Sequence, residues 1–151
     1  MPYPVANLRA FLAGRWRISR RIGDVRLGII GRLTGYATFA PATDGLAYDE
    51  SGDLRFGSYL GHAIRRYHLV IDRPTAGEMR HADGTRFHEL DLASGTANIL
   101  HHCARDYYRG RYRAFHESCF ITVWQVTGPR KDYRLATLHT RIASDCSDLD
   151  E

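Results

Sequence analysis

The sequence predicts an all-β fold: a closed antiparallel meander barrel of about eight to ten strands with a short N-terminal helix. Three observations carry this. From Gly14 to Arg141 apolar residues recur with a period of two, as in strands with one buried face. The strand-like runs are separated by turn chemistry, with Ser51-Gly52-Asp53, Asp83-Gly84, Ser94-Gly95, Arg109-Gly110 and Gly128-Pro129 at hairpin positions. A small meander of this kind leaves two adhesive edges unless it closes on itself.

Val5, Leu8, Phe11 and Leu12 recur at helical spacing between Pro4 and Gly14, which predicts a helix over 5–13 suited to plugging one barrel end. In the first strand Trp16, Ile18 and Ile22 alternate with Arg15, Arg17, Ser19 and Arg21, so one face is apolar and the other cationic. Further runs cover Leu33–Phe39, Leu46–Glu50, Leu54–Ser58, Ala63–Ile71, Gly77–His81, Arg86–Leu92, Ala97–Cys103, Tyr112–Glu117, Cys119–Thr127 and Tyr133–Arg141. Gly35, Gly57 and Gly61 lie in or beside strands, where glycine marks bends and bulges. The chain reads as one domain over 1–151, with the barrel over 14–141 and an acidic tail over 142–151 expected to fray.

The 151 residues are enough to bury a core without metals or disulfides. Cys103, Cys119 and Cys146 form no Cys-x-x-Cys pair and are expected to be free thiols in a reducing compartment. The N-terminal apolar run is too short for a signal peptide and no stretch is long enough to span a bilayer, so a cytoplasmic protein without a membrane partner is expected. The net charge is +4 and Lys131 is the single lysine among 21 basic residues, but the arginines are scattered. That dispersion speaks against nucleic acid, whose remaining candidate surface is the outward face of Arg15, Arg17 and Arg21.

Gly14-Arg15-Trp16, at the junction of helix and first strand, resembles the opening signature of lipocalins and fatty-acid-binding proteins. Over most of the chain, His101-His-Cys103-Ala-Arg-Asp106-Tyr-Tyr108-Arg-Gly110 and Trp124-Gln-Val-Thr-Gly128-Pro129-Arg-Lys131-Asp132-Tyr133 resemble a family of short, mostly bacterial calycin-like proteins of unknown function. The resemblance implies a barrel floor closed by Trp16 and covered by an arginine from the last strand, the position Arg141 occupies. Where that family has an aromatic in the last strand, this chain has His139.

If Trp16 points inward, parity sends Ile18, Arg20 and Ile22 inward too, and from the last strand Tyr133, Leu135, Thr137, His139 and Arg141. An arginine inside a dry barrel needs a carboxylate, water or acidic ligand, and Glu50, Glu89 and Asp106 are the candidate internal partners. Two roles stand open for Arg141: capping Trp16, or holding a ligand carboxylate with Tyr67 and Tyr133, by analogy with fatty-acid-binding barrels. Of the eight histidines, His88, His101, His102 and His139 fall in strands, where inward imidazoles can meet an anionic group, haem or metal and outward ones are plain surface. His101 and Cys103 share a face, but no further ligands stand at metal-binding spacing, so no metal site is expected. Cys103 reads either as a buried structural thiol or as a nucleophile with His101 as base and Asp106 orienting it. Asp106 to Gly110 reads first as strand-end turn chemistry, and Gly128 to Asp132 as a hairpin tip whose basic pair faces solvent or an anion.

The leading expectation is a ligand-binding barrel for a small or medium molecule with an apolar body and an acidic group. Trp16, Tyr67, His88, His101, Cys103, Tyr108, Trp124, Tyr133, His139 and Arg141 are its candidate contacts. The rivals are a small lyase-like or decarboxylase-like enzyme drawing on His88, His101, Cys103, Tyr108 and Glu50, and a haem-binding barrel. No cofactor motif is legible, and a homodimer through an exposed sheet face remains open.

Overall fold

The computed structural model describes residues 1–143, so Cys146 and the acidic tail from Ser144 onward lie outside the described residues. A short helix, α1 (Leu8–Leu12), precedes ten strands: β1 (Gly14–Asp24), β2 (Ile29–Ala42), β3 (Gly45–Phe56), β4 (Tyr59–Ile71), β5 (Ala76–His81), β6 (Arg86–Asp91), β7 (Thr96–Cys103), β8 (Asp106–His116), β9 (Cys119–Thr127) and β10 (Asp132–Arg141). They form one antiparallel sheet in the order β6-β5-β4-β3-β2-β1-β10-β9-β8-β7, a nearly closed meander barrel sealed by pairing of first and last strands. β6 and β7 border the remaining seam, which Phe87 and His101 span edge to face at 5.2 Å. At the plugged end the N-terminal segment ties the seam together, with Val5 N–H donating to Leu92 and Tyr3 N–H to Ala114 at 3.2 and 2.8 Å.

Strand alternation places the core where parity demands. In β1, Trp16, Ile18 and Arg20 are buried while Arg15, Arg17, Ser19 and Arg21 are exposed. The helix is shorter than the predicted 5–13: Asn7 caps it by accepting from Ala10 N–H at 2.9 Å, and Val5 is taken up by the extended contact to Leu92.

Two predicted turns are strand interior. Ser51-Gly52-Asp53 runs through the middle of β3, merging two predicted strands, and Arg109-Gly110 lies inside β8. In both places glycine serves close packing. Gly35 and Gly52 oppose one another, and a β-carbon on Gly35 would come within 2.0 Å of the Ser51 carbonyl oxygen. A β-carbon on Gly110 would sit 2.6 Å from the Trp124 ring. The true β7–β8 turn is Ala104-Arg105, with Ala104 at positive φ.

Helix α1 covers the barrel end at which β1 begins. Trp16 is fully buried there, its Nε1 donating to Leu12 O at 2.9 Å, with Phe11 and Phe120 against it. Arg141 lies over the indole at 4.3 Å and donates to the carbonyls of Ala13, at 2.7 Å, and Phe11. Arg141→Gln is therefore expected to lower unfolding free energy by about 1–2 kcal/mol, through lost cation–π contact and stranded carbonyls, and urea titration measures it.

Candidate functional site

The opposite barrel end is open, and a cavity of about 290 Å³ runs inward from it. Its outer part is aromatic. Tyr67, Phe87 and Trp124 lie with their planes nearly parallel, Phe87 in the middle at 5.7 Å from one and 5.2 Å from the other. His81 stacks on Phe87 at 4.7 Å, and His88, His101 and Tyr108 meet its ring edge-on.

Phe87 reaches this position through a bulge. Met79 pairs with His88 but Arg80 pairs with Arg86, so Phe87 is an extra residue, and both it and His88 turn inward.

The inner part is polar, and an internally satisfied ion pair occupies it. Arg20, from β1, makes two bonds to Glu50 of β3 at 2.6 and 2.9 Å, and its Nε donates to Thr137 Oγ1 at 2.7 Å. The Tyr48 hydroxyl donates to the second Glu50 oxygen. Burial opposes the Glu50 charge, but the bonds and field of Arg20 override it and hold the carboxyl below its ordinary value. Burial likewise opposes the Arg20 charge, and Glu50 more than restores it.

Burial also keeps the inner imidazoles neutral. His139 stacks on Phe120 at 4.1 Å and is pulled down to about 3, and its Nδ1 has no partner among the described residues. His88 is pulled down to about 4, with Nδ1 sharing a hydrogen bond with Glu89 O at 2.9 Å. His101, nearer the mouth, is lowered by burial and by the neighbouring His81 and His102.

Eight of the ten residues expected at the site line this cavity: Tyr67, His88, His101, Cys103, Tyr108, Trp124, Tyr133 and His139. Trp16 and Arg141 do not; both belong to the plugged end, where Arg141 is occupied with the indole and the backbone carbonyls of Phe11, Ala13 and Glu117. Of the three carboxylates considered for an internal arginine, Glu50 faces Arg20. Glu89 is outside, 3.3 Å from Arg86, and Asp106 holds Lys131 at 3.1 Å rather than orienting His101. Cys103 is exposed at the rim rather than buried, and His102 is an outward residue stacked on Tyr107 at 4.3 Å. Among the described residues no group of three His, Cys, Asp or Glu side chains converges as a metal site needs.

Sequence reasoning missed Phe87, His81, Arg65 and Tyr112. Phe87 was hidden by the bulge, which breaks the period-two count. Arg65 shares its face with Tyr67, two residues on, and was legible from that parity. Its Nε stands 3.8 Å from Glu50 Oε1, beyond hydrogen-bond length, and its side chain is 40% exposed.

No curated protein matches the sequence. Among solved structures, an S-type phycobiliprotein lyase from Guillardia theta is similar with a TM-score of 0.60 and 13% identity, over 89% of this chain and 90% of that one. A protein of unknown function in the DUF3598 family, from Nostoc punctiforme, gives a TM-score of 0.61 and 11% identity over 93% of this chain and 51% of that one. At such identity these likenesses show the shared barrel fold alone. The sequence model that matches spans residues 12–141, from the end of α1 to the last residue of β10, and by it the chain belongs to the family of unknown function DUF6314.

Proposed function

We propose that the barrel binds, in its interior, a small molecule with a flat apolar body and an acidic group. One observation carries this reading: an open cavity walled by Tyr67, Phe87, Tyr108, Trp124 and Tyr133 holds two arginines against the single carboxylate of Glu50, which Arg20 engages at hydrogen-bond length and Arg65 meets only at 3.8 Å. Charges in the cavity lining come from Arg20, Glu50 and Arg65. Arg20 and Glu50 cancel in a bidentate pair, whereas the Arg65 guanidinium keeps its fork of donors for a carboxylate or similar anion. The aromatic faces suit a planar body, and at 290 Å³ the cavity falls just below the usual range of ligand pockets, about 300 to 1,000 Å³, which calls for a small one. His88 and His139, being neutral, contribute hydrogen bonds rather than charge.

An anilinonaphthalene sulfonate dye, flat, apolar and anionic, tests this by its emission on titration into the protein. Binding is expected, with Arg65→Gln weakening it about tenfold or more through loss of a charge-assisted contact. An uncharged analogue of the dye should bind wild type and variant alike. Equal dye affinity for the two proteins would remove the acidic group from the reading, and no binding of either dye would remove the open cavity. Native mass spectrometry of gently purified protein gives an independent check, an acidic molecule released on denaturation of wild type and missing from Arg65→Gln.

A further inference from the structure

The outer face of β1–β4 carries a feature that the cavity does not explain. Arg21, Arg32 and Arg55 stand directly opposite one another on three neighbouring strands, and Leu60 of β4 completes the row. All four are exposed and line one shallow groove with Ile30. Like charges opposed across a sheet destabilise it, and three arginines in one row do so twice.

Among the described residues none of the three takes part in an ion pair. Asp53 lines the same groove one row back, exposed and 3.6 Å from His62, while Asp49 holds Arg66 at 2.9 Å and Asp24 accepts the Leu27 N–H.

The same strands end in two neighbouring hairpin tips that are unusually apolar. Val25, Leu27 and Ile30 project from the β1–β2 tip and Tyr59 and Leu60 from the β3–β4 tip, with Ile30 85% and Leu60 69% exposed. Scattered exposed apolar residues are ordinary, but five grouped on two adjacent tips form a patch. Both tips lie at the open end, away from the end plugged by α1, so the patch borders the cavity mouth.

We infer that this face docks the barrel on an anionic lipid surface. The side chains are layered as a bilayer would meet them: Val25, Leu27 and Ile30 foremost, the arginine row behind them, and Asp53 one row further back. Apolar tips would enter the headgroup boundary while the guanidinium groups stay among the phosphates, their stems adding apolar contact. A second copy of this chain fits less well, because twofold pairing of the face brings six arginines together against only the two Asp53 carboxylates of the grooves. Among the described residues no helix is long and apolar enough to cross a membrane.

Flotation with phosphatidylcholine vesicles, with and without phosphatidylserine, tests the inference. Retention is expected with phosphatidylserine only, declining as salt is raised. Arg32→Gln and Arg55→Gln should each weaken it roughly fivefold, and Ile30→Ser with Leu60→Ser should also reduce it. These positions are exposed, so circular dichroism of the variants should match wild type, and the arginine variants should melt no lower than it. Retention on neutral vesicles, retention that the arginine variants keep, or no retention overturns the inference. So does a dimer in sedimentation that the arginine variants dissolve, which would assign the face to a second copy. The dye titration reads Arg65 and the interior, so the two readings fail independently.

Discussion

Glu50→Gln is expected to lower the unfolding free energy at neutral pH by about 3–5 kcal/mol, the cost of stranding a buried arginine without its counter-charge. Arg20 and Glu50 are both buried, and the guanidinium spends three donors on Glu50 and Thr137. An amide in place of the carboxylate keeps the shape and removes the charge. Urea unfolding of the variant against wild type measures the loss. Replacing both partners, Arg20→Met with Glu50→Leu, should recover much of it, since apolar groups of similar volume carry no desolvation cost. Recovery should stop about 1–3 kcal/mol short, because the Tyr48 hydroxyl then loses its acceptor. If Glu50→Gln were as stable as wild type, the pair would not hold the barrel together.

Acid is expected to unfold the protein between about pH 5 and 4, through histidines that the fold keeps neutral. His139 and His88 are pulled down to about 3 and about 4, from an ordinary value of 6.5 in the unfolded chain. The stability they contribute is present above pH 6.5. Below it the unfolded chain binds protons that the folded chain refuses, so stability falls with pH until each folded value is passed. Each group costs up to about 1.4 kcal/mol per pH unit, so the two together cost about 5–6 kcal/mol between pH 6.5 and 4, comparable with the 5–15 kcal/mol stability of an ordinary domain. Glu50 adds to the loss further down: its carboxyl sits below the ordinary value of 4.5, so its contribution is present above that pH and disappears as pH falls through the folded value. His139→Phe keeps the stack on Phe120 and should halve the slope of stability against pH from 6.5 to 4, as urea titrations at stepped pH would show. An unchanged slope would mean that His139 is not held neutral in the folded protein.

Each prediction rests in part on a residue whose inward direction was legible in advance, Arg20 in the first and His139 in the second. Counting by two from Trp16 turned Arg20 inward, and desolvation then demanded a partner, with Glu50 among three possibilities. Leu46, Tyr48 and Glu50 share a face by the same count. The count failed at Phe87, because one inserted residue in β6 sends neighbours to the same side. It also failed at Gly52 and Gly110, where glycines suggesting turns instead let a strand or an indole approach closely.

Arg141 separates the two levels of information most clearly. Parity put it inward with His139, but parity does not say how far along the barrel a side chain lies. The register of β1 against β10 sets Arg141 opposite Trp16, at the plugged end, whereas Tyr133 sits opposite Asp24 beside the mouth. Alternation, turn residues and the need to close a meander determined by themselves the barrel, the inward sets of β1 and β10 and the need of an internal arginine for a carboxylate, water or an acidic ligand, because these depend on neighbours along the chain. Tertiary structure alone decided that Glu50 is the partner of Arg20, that Arg65 stands more loosely at 3.8 Å from the same carboxylate, and that three arginines form one row. Those depend on the register between strands far apart in sequence, which local periodicity does not encode.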